Sequence, residues 1–239
     1  MRIIPFQTMS LVCVIAAVSP GCKPAEVATV DSPSTPISRR KAATWRFDQP
    51  AEDAVGGWRF EETNSQGTPA TWQVTARADA PSPPNVMKLV RTDNDDGTFN
   101  LAIAERTSYG DLDLSVAVMA DQGKEDQGGG PVWRCQDRDN YYICRLNPLE
   151  RNFRLYRVLQ TRRKQLESAN VDLTSGRWYT VRITMVGRHI TCYLDGRKLL
   201  EADDDTFGKA GMVGLWTKAD AVTAFDDLVV TPVISPSQR

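Results

Sequence analysis

Arg134 and Arg145 lie on the two arms of one predicted β-hairpin, inside the string DQGGGPVWRCQDRDNYYICRLNPLERNFRLYRV. Two guanidinium groups on a shared face would bind sugar hydroxyls, a carboxylate or an enolate oxygen, with a forked donor geometry that lysine lacks. Glu150 follows in the bend from Leu146 to Asn152 and is the candidate base. Asp137 and Tyr142, in the same hairpin, are candidate sugar contacts. Further on, Trp216 ends a predicted strand, and Lys218 and Asp220 occupy the loop after it. There an aromatic ring would stack on a sugar while the charged pair holds hydroxyls. Each of these residues also has a structural alternative. Arg134 can pair with Asp137 or Glu150, Asn140 can cap the turn, Trp216 can be core, and Lys218 with Asp220 can be a solvated ion pair.

Other chemistries are excluded by what is missing. A retaining glycosidase of the laminarinase type carries E-x-D-x-x-E on one strand, with nucleophile and acid roughly 5–5.5 Å apart. The nearest string, Glu201 to Asp205, has no second glutamate and reads as a solvated acidic loop. His189 is the only histidine, in a Gly187-Arg188-His189 turn, so no histidine-based metal site can be assembled.

The elements that must position these residues are strands. Leu112, Leu114, Val116 and Val118 alternate with Asp113, Ser115 and Ala117. Tyr179, Val181, Ile183 and Met185 alternate with Trp178, Thr180, Arg182 and Thr184. Period two over such lengths predicts half-buried strands. Asp195-Gly196 predicts a tight hairpin turn between Ile190–Leu194 and Arg197–Leu200. Gly211–Trp216 and Ala221–Val230 complete the series, and no amphipathic helix longer than about two turns is visible. Regular strands with frequent turn signals predict an all-β sandwich or jelly roll of two antiparallel sheets. Trp45-Arg46-Phe47 and Phe225 to Val230 both read as strands, and their pairing would close one domain over residues 45–233, followed by a tail over 234–239.

The strings EDQGGGPVWR, DRDNYYICRLNPLERNFRLYRV, GRWYTVRI, CYLDGRKLLEADDDTF and AGMVGLWTKADAVTAFDDLVV occur in that order and cover about half the chain. Together they resemble the 3-keto-disaccharide hydrolase domain, a concanavalin A-like jelly roll often given the loose label glycoside hydrolase 16-like. The resemblance implies a two-sheet jelly roll with a concave face and a carbohydrate-related role, extending to cleavage of glycosides oxidised at C3. A C3 ketone acidifies the neighbouring C2 proton, so such an enzyme needs a positioned base and a group that stabilises the enolate. A non-catalytic glycan-binding or scaffolding module on the same fold is the alternative, because fold alone does not fix function. No cofactor is required. In sandwiches of this kind Asp226, beside Asp227, is a candidate ligand for a structural calcium ion, with a plain strand-edge carboxylate as the simpler alternative.

The 239 residues carry a formal net charge of −1, which gives no reason to expect a nucleic-acid partner. Arg151, Arg154, Arg157, Arg162, Arg163 and Lys164 are locally basic, but Arg154 and Arg157 point to opposite faces of a strand. Residues 1–22 read as an export signal: Arg2, the apolar run Leu11 to Val18, then Gly21-Cys22. Gly21-Cys22 resembles a lipoprotein cleavage box, although Ser19 and Pro20 depart from it; Cys22 would then be the lipid anchor and the only membrane attachment. Ordinary cleavage near Ala17 to Gly21 is the alternative. Residues 23–44 are a Pro-, Ser- and Thr-containing linker. Cys135 and Cys144 flank one turn and either form a cross-strand disulfide or remain buried thiols, and Cys192 reads as core.

Overall fold

The computed structural model describes residues 41–49, 55–66 and 68–234. The export signal, Cys22 and most of the linker lie outside the described residues, as does nearly all of the tail. In chain order the strands are β1 (Ala43–Trp45), β2 (Trp58–Thr63), β3 (Thr71–Ala76), β4 (Asn85–Arg91), β5 (Phe99–Tyr109), β6 (Leu112–Gln122), β7 (Gly130–Asp137) and β8 (Asn140–Asn147). They continue as β9 (Asn152–Leu159), β10 (Arg162–Asn170), β11 (Trp178–Val186), β12 (His189–Leu194), β13 (Arg197–Asp203), β14 (Gly211–Lys218) and β15 (Val222–Pro232). No helix occurs among the described residues.

The strands form two antiparallel sheets, the jelly-roll sandwich expected. One runs β13-β12-β11-β6-β15-β4-β3, with β1 added on β15; the other runs β10-β9-β8-β7-β14-β5-β2. The ends of the domain pair as the sequence suggested, with Trp45 opposite Leu228. Asp195 and Gly196 both take positive φ (48° and 78°), the twist a two-residue hairpin needs.

The two sheets bury their faces differently. In the first, Leu112, Leu114, Val116, Val118, Val181, Ile183, Ile190 and Leu194 point inward, while Asp113 and Arg182 pair on the outside (2.5 Å). The second sheet buries both faces. Trp133, Tyr142, Cys144, Leu146, Phe153, Leu155, Val213 and Leu215 join the main core. The alternating residues Leu101, Ile103, Val132, Tyr141, Ile143, Tyr156, Val158 and Trp216 form a second apolar layer on the outer face. β8 therefore reads as the unbroken run YYICRLN, because period-two polarity disappears when both faces are covered.

Cys135 and Cys144 are free thiols. Cys135 belongs to the outer layer and Cys144 to the main core, so the two sulfurs lie on opposite faces of the sheet. A bulge between Trp133 and Asp137 breaks the alternation that would have placed them together.

Candidate active site

The same bulge separates the two arginines of the hairpin. Arg134 has a left-handed backbone (φ 45°). Its guanidinium donates to the carbonyls of Gly110 (3.0 Å), Phe207 (2.9 Å) and Gly187 (2.8 Å) and pairs with Asp111 (3.1 Å). It ties three connections together at the end of the main core. Burial lowers its pKa, and Asp111 counteracts that. Arg145 lies on the other face, stacked on the Tyr156 ring at 5.8 Å. The structure does not bring the expected arginine pair together.

Tyr142 also faces the main core. Its hydroxyl donates to Asp204 Oδ1 (2.6 Å) and its ring packs on Trp133 and Phe207. A position inside the sandwich removes it from sugar binding. Asp137 caps the hairpin turn by accepting from the Asp139 amide (2.8 Å) and from Asn140 Nδ2 (2.8 Å). Trp216 is wholly buried in the outer layer and donates to Tyr141 Oη (3.3 Å), so its ring is not a rim platform.

The outer face of the second sheet does gather the remaining candidates, around a residue the sequence reading passed over. Asp126 is 1% exposed. Its carboxylate faces Lys218 Nζ (3.3 Å) and Arg145 Nη1 (3.9 Å) and accepts from Asn147 Nδ2 (2.9 Å). Lys218 also pairs with Asp96. Arg145 donates to Glu150 Oε2 (3.1 Å), which takes a second bond from Arg154 (2.7 Å) and a third from Asn152 (2.9 Å). The Tyr156 hydroxyl lies 3.5 Å from Arg145 Nη2 and 3.4 Å from Arg154 Nη1. Arg163 lies over the rings of Tyr156 (4.6 Å), Phe99 (5.0 Å) and Trp216 (5.8 Å).

Two backbone devices place Asp126. Asp220 accepts from the amides of Lys124 (2.6 Å), Glu125 (3.0 Å) and Asp126 (3.0 Å). Asp220 thus fastens the loop that carries Asp126. Burial raises its pKa, but those three N–H groups outweigh the burial and hold it low. The glycines that follow are needed for close backbone approach. A Cβ on Gly129 would lie 2.2 Å from the Trp216 carbonyl oxygen, and one on Gly130 would lie 1.8 Å from that of Cys144. The GGG run is the signal in the sequence that could have marked its neighbour Asp126.

The two carboxylates differ in electrostatics. Burial pushes Asp126 above the usual aspartate range, against the pull of Arg145 and Lys218. At Glu150 burial also acts upward, but Asn152, Arg145 and Arg154 outweigh it and hold the carboxyl low. Glu150 is therefore the weaker base of the two, and it acts as the clamp that orients Arg145. Arg145 stays cationic: burial opposes its charge, and Asp126, Tyr156 and Glu150 restore it. Arg145 Nε and Nη1, Asp126 Oδ2 and Arg163 Nη1 are buried without a hydrogen bond. Such atoms are costly unless a partner is supplied. Removing Arg145 outright would leave Asp126 a buried, under-compensated charge, costing about 3–5 kcal/mol, so an alanine variant there would confuse stability with function.

No group of three or more His, Cys, Asp or Glu side chains converges as a metal-binding set among the described residues. Asp226 Oδ2 accepts from the Ser82 amide (2.7 Å), and Oδ1 from Ser82 Oγ (3.0 Å) and the Asp227 amide (2.7 Å). The carboxylate considered for calcium is occupied in fastening the loop around Ser82. An open cleft of about 250 Å³ lies away from this cluster, lined by Phe60, Glu61, Glu62, Pro69, Trp72 and Arg138. In it the Phe60 ring lies parallel to Trp72 at 6.2 Å.

Comparison with known proteins agrees with the fold. The chain aligns with a carbohydrate-binding module, CBM66, from Bacillus subtilis at 19% identity and TM-score 0.56, covering 72% of this chain and 93% of the module. A cellulose-induced protein, Cip1, aligns at 14% identity and TM-score 0.59, covering 80% and 97%. A β-glucanase from Bacillus licheniformis aligns at 11% identity and TM-score 0.53, covering 82% and 99%. At these identities the likeness is one of fold. No curated protein sequence matches the chain. A family model for the 3-keto-alpha-glucoside-1,2-lyase-like domain matches residues 47–231. That span runs from Phe47 into the last strand, leaving out only β1 and the final residue of β15 and including the Asp126 cluster, and the chain belongs to the 3-keto-alpha-glucoside-1,2-lyase-like domain family.

Proposed function

We propose that this protein is an exported enzyme that cleaves 3-keto-glycosides by elimination, at the outer face of the second sheet. The observation that carries this is a desolvated carboxylate, Asp126, between Lys218 (3.3 Å) and Arg145 (3.9 Å), with two Arg145 nitrogens lacking acceptors. The family name supplies the substrate class.

In this reading Asp126 takes the C2 proton, whose acidity the C3 ketone raises. The electron pair is delocalised onto O3 as an enolate, where Arg145 and Lys218 supply positive charge in a low-dielectric setting. The enolate then re-forms the ketone, a C1–C2 double bond develops, and the C1–O bond breaks. The proton on Asp126 is available to the departing oxygen. A carboxylate with a raised pKa is a stronger base than an ordinary aspartate. The cluster is closed as it stands, beneath Asp96, which is 74% exposed while paired with Lys218. Substrate entry therefore requires the Asp96 side chain to leave Lys218, as lid segments do in many enzymes.

A second reading, a non-catalytic glycan-binding module, is favoured by that same closure and by the open cleft beside Phe60 and Trp72. Incubating the full chain with a 3-keto-glucoside separates the two. Elimination releases the free alcohol and an unsaturated ketone with new ultraviolet absorbance. Binding without either product would establish the module and remove the enzyme.

Export rests on Arg2, the apolar run and Cys22. Labelled fatty acid should enter the wild-type protein in bacterial cells and be absent from Cys22→Ala. Equal labelling of both would remove the anchor.

A further inference from the structure

We propose that the glycoside taken by this site carries a carboxylate, received by Arg163 and Arg145 beside the Tyr156 ring. This rests on the carbohydrate reading above and names its substrate class as an acidic, uronic-acid-type sugar.

The first observation is a charge imbalance within the Asp126 cluster. Arg145 has Asp126 and Glu150, Arg154 has Glu150, and Lys218 has Asp126 and Asp96. Arg163 has no ion-pair partner among the described residues, and its Nη1 is buried without a hydrogen bond. Burial lowers its pKa, with Arg145 adding repulsion and Tyr156, Asp126 and Glu150 opposing. Within this cluster four cations face three carboxylates, and Arg163 is the cation without an ion-pair partner.

The second observation is position. The Arg163 and Arg145 guanidinium carbons lie 4.6 Å and 5.8 Å from the centroid of one ring, that of Tyr156. Arg145 is 1% exposed. Its Nε and Nη1 lack hydrogen bonds, as does Nη1 of Arg163, so both guanidinium groups near this ring keep unfilled donors. A planar carboxylate accepts from forked N–H donors in a way that a hydroxyl or a spherical ion does not. The rings of Phe99, Tyr156 and Trp216 hold the Arg163 cation by their electron-rich faces, which keeps it there without an anion. Cation–π contact compensates the charge without satisfying the N–H donors. A substrate carboxylate does both.

The enolate of a neutral sugar is the competing source of negative charge, and the two differ in the ground state. A carboxylate is present before any chemistry; an enolate forms only during it. The test is therefore equilibrium binding to the full chain by calorimetry, comparing a methyl glucoside with the matching methyl glucuronoside. The glucuronoside should bind at least about tenfold more tightly, as a charge-assisted forked contact implies, and the advantage should shrink with added salt. Arg163→Gln should collapse the ratio between the two ligands, with folding checked by thermal melting. Equal affinities in the wild type would overturn the acidic substrate, as would an equal loss for both ligands in Arg163→Gln. If the neutral 3-keto-glucoside is turned over without any acidic preference, the acidic substrate falls and the lyase reading stands. If neither sugar is bound or cleaved, both fall.

Discussion

Gly130→Ala should unfold the protein under conditions where the wild type is stable. A Cβ at this position would lie 1.8 Å from the Cys144 carbonyl oxygen, 2.9 Å from its carbon and 3.1 Å from Arg145 Cα. All three atoms are backbone of β8, which is held between β7 and β9. A flexible side chain could rotate away, but a central strand yields only if its ladders open. The expected cost exceeds about 4 kcal/mol, at the extreme of single substitutions, out of a total stability of about 5–15 kcal/mol. Gly208→Ala is the matched control, because its Cβ would meet nothing within 4 Å and its φ is not in the left-handed range. That change should stay within about 0.5 kcal/mol. Denaturant midpoints measure both. A Gly130→Ala midpoint equal to that of the wild type would show that the strands part easily. In that case the glycine run could not be what fixes Asp126 beside Arg145.

The sandwich was legible in the sequence where one face of a sheet meets water. β6 and β11 alternate because Asp113 and Arg182 lie outside while Leu114 and Ile183 lie inside. The same logic failed on the second sheet, whose outer face carries its own apolar layer. With both faces buried, nothing in YYICRLN says which tyrosine is outward: Tyr141 belongs to the outer layer, and Tyr142, the candidate sugar contact, to the main core. Between Trp133 and Asp137 the pairing is irregular, four residues of β7 spanning two of β8, and Arg134 falls in that stretch with a left-handed backbone that breaks the alternation. Simple alternation would put Arg134 and Arg145 on one face, and the fold keeps them apart. β10 was hidden for the opposite reason. As an edge strand with one neighbour it is mostly exposed, and RRKQLESAN shows no apolar alternation. Its Arg163 nonetheless reaches back over the outer layer. Asp126 lies in a loop, where periodicity has no meaning. It was recoverable only through its neighbours: glycines that exclude a Cβ, and an Asp220 that gathers three amides from a loop distant in sequence.

Asp126→Asn should cost turnover of 3-keto-glycosides about 10²–10⁴-fold, the range for loss of a positioned base, while destabilising the fold by no more than about 1 kcal/mol. The stability half follows from the sign of the pKa shift. Burial raises the folded-state pKa of Asp126 above its unfolded value. The folded state then binds the proton more tightly, so this group's contribution to stability is fully present below the unfolded pKa. It is lost as pH rises through the folded pKa. At neutral pH the ionised carboxylate is therefore held at a cost, which the neutral amide removes. The amide oxygen still accepts from Asn147, while Arg145 keeps Glu150 and Lys218 keeps Asp96. The change in unfolding free energy should thus be no worse than about 1 kcal/mol, the scale of one net hydrogen bond. A purely structural ion pair would behave in the opposite way, losing about 3–5 kcal/mol when one partner is removed. The wild-type rate should also climb with pH through a value above the ordinary aspartate range, as the base loses its proton, and Asp126→Asn should lose that limb. A variant that is strongly destabilised, or one that turns over normally with the pH limb intact, would return Asp126 to a structural role and leave the base unassigned.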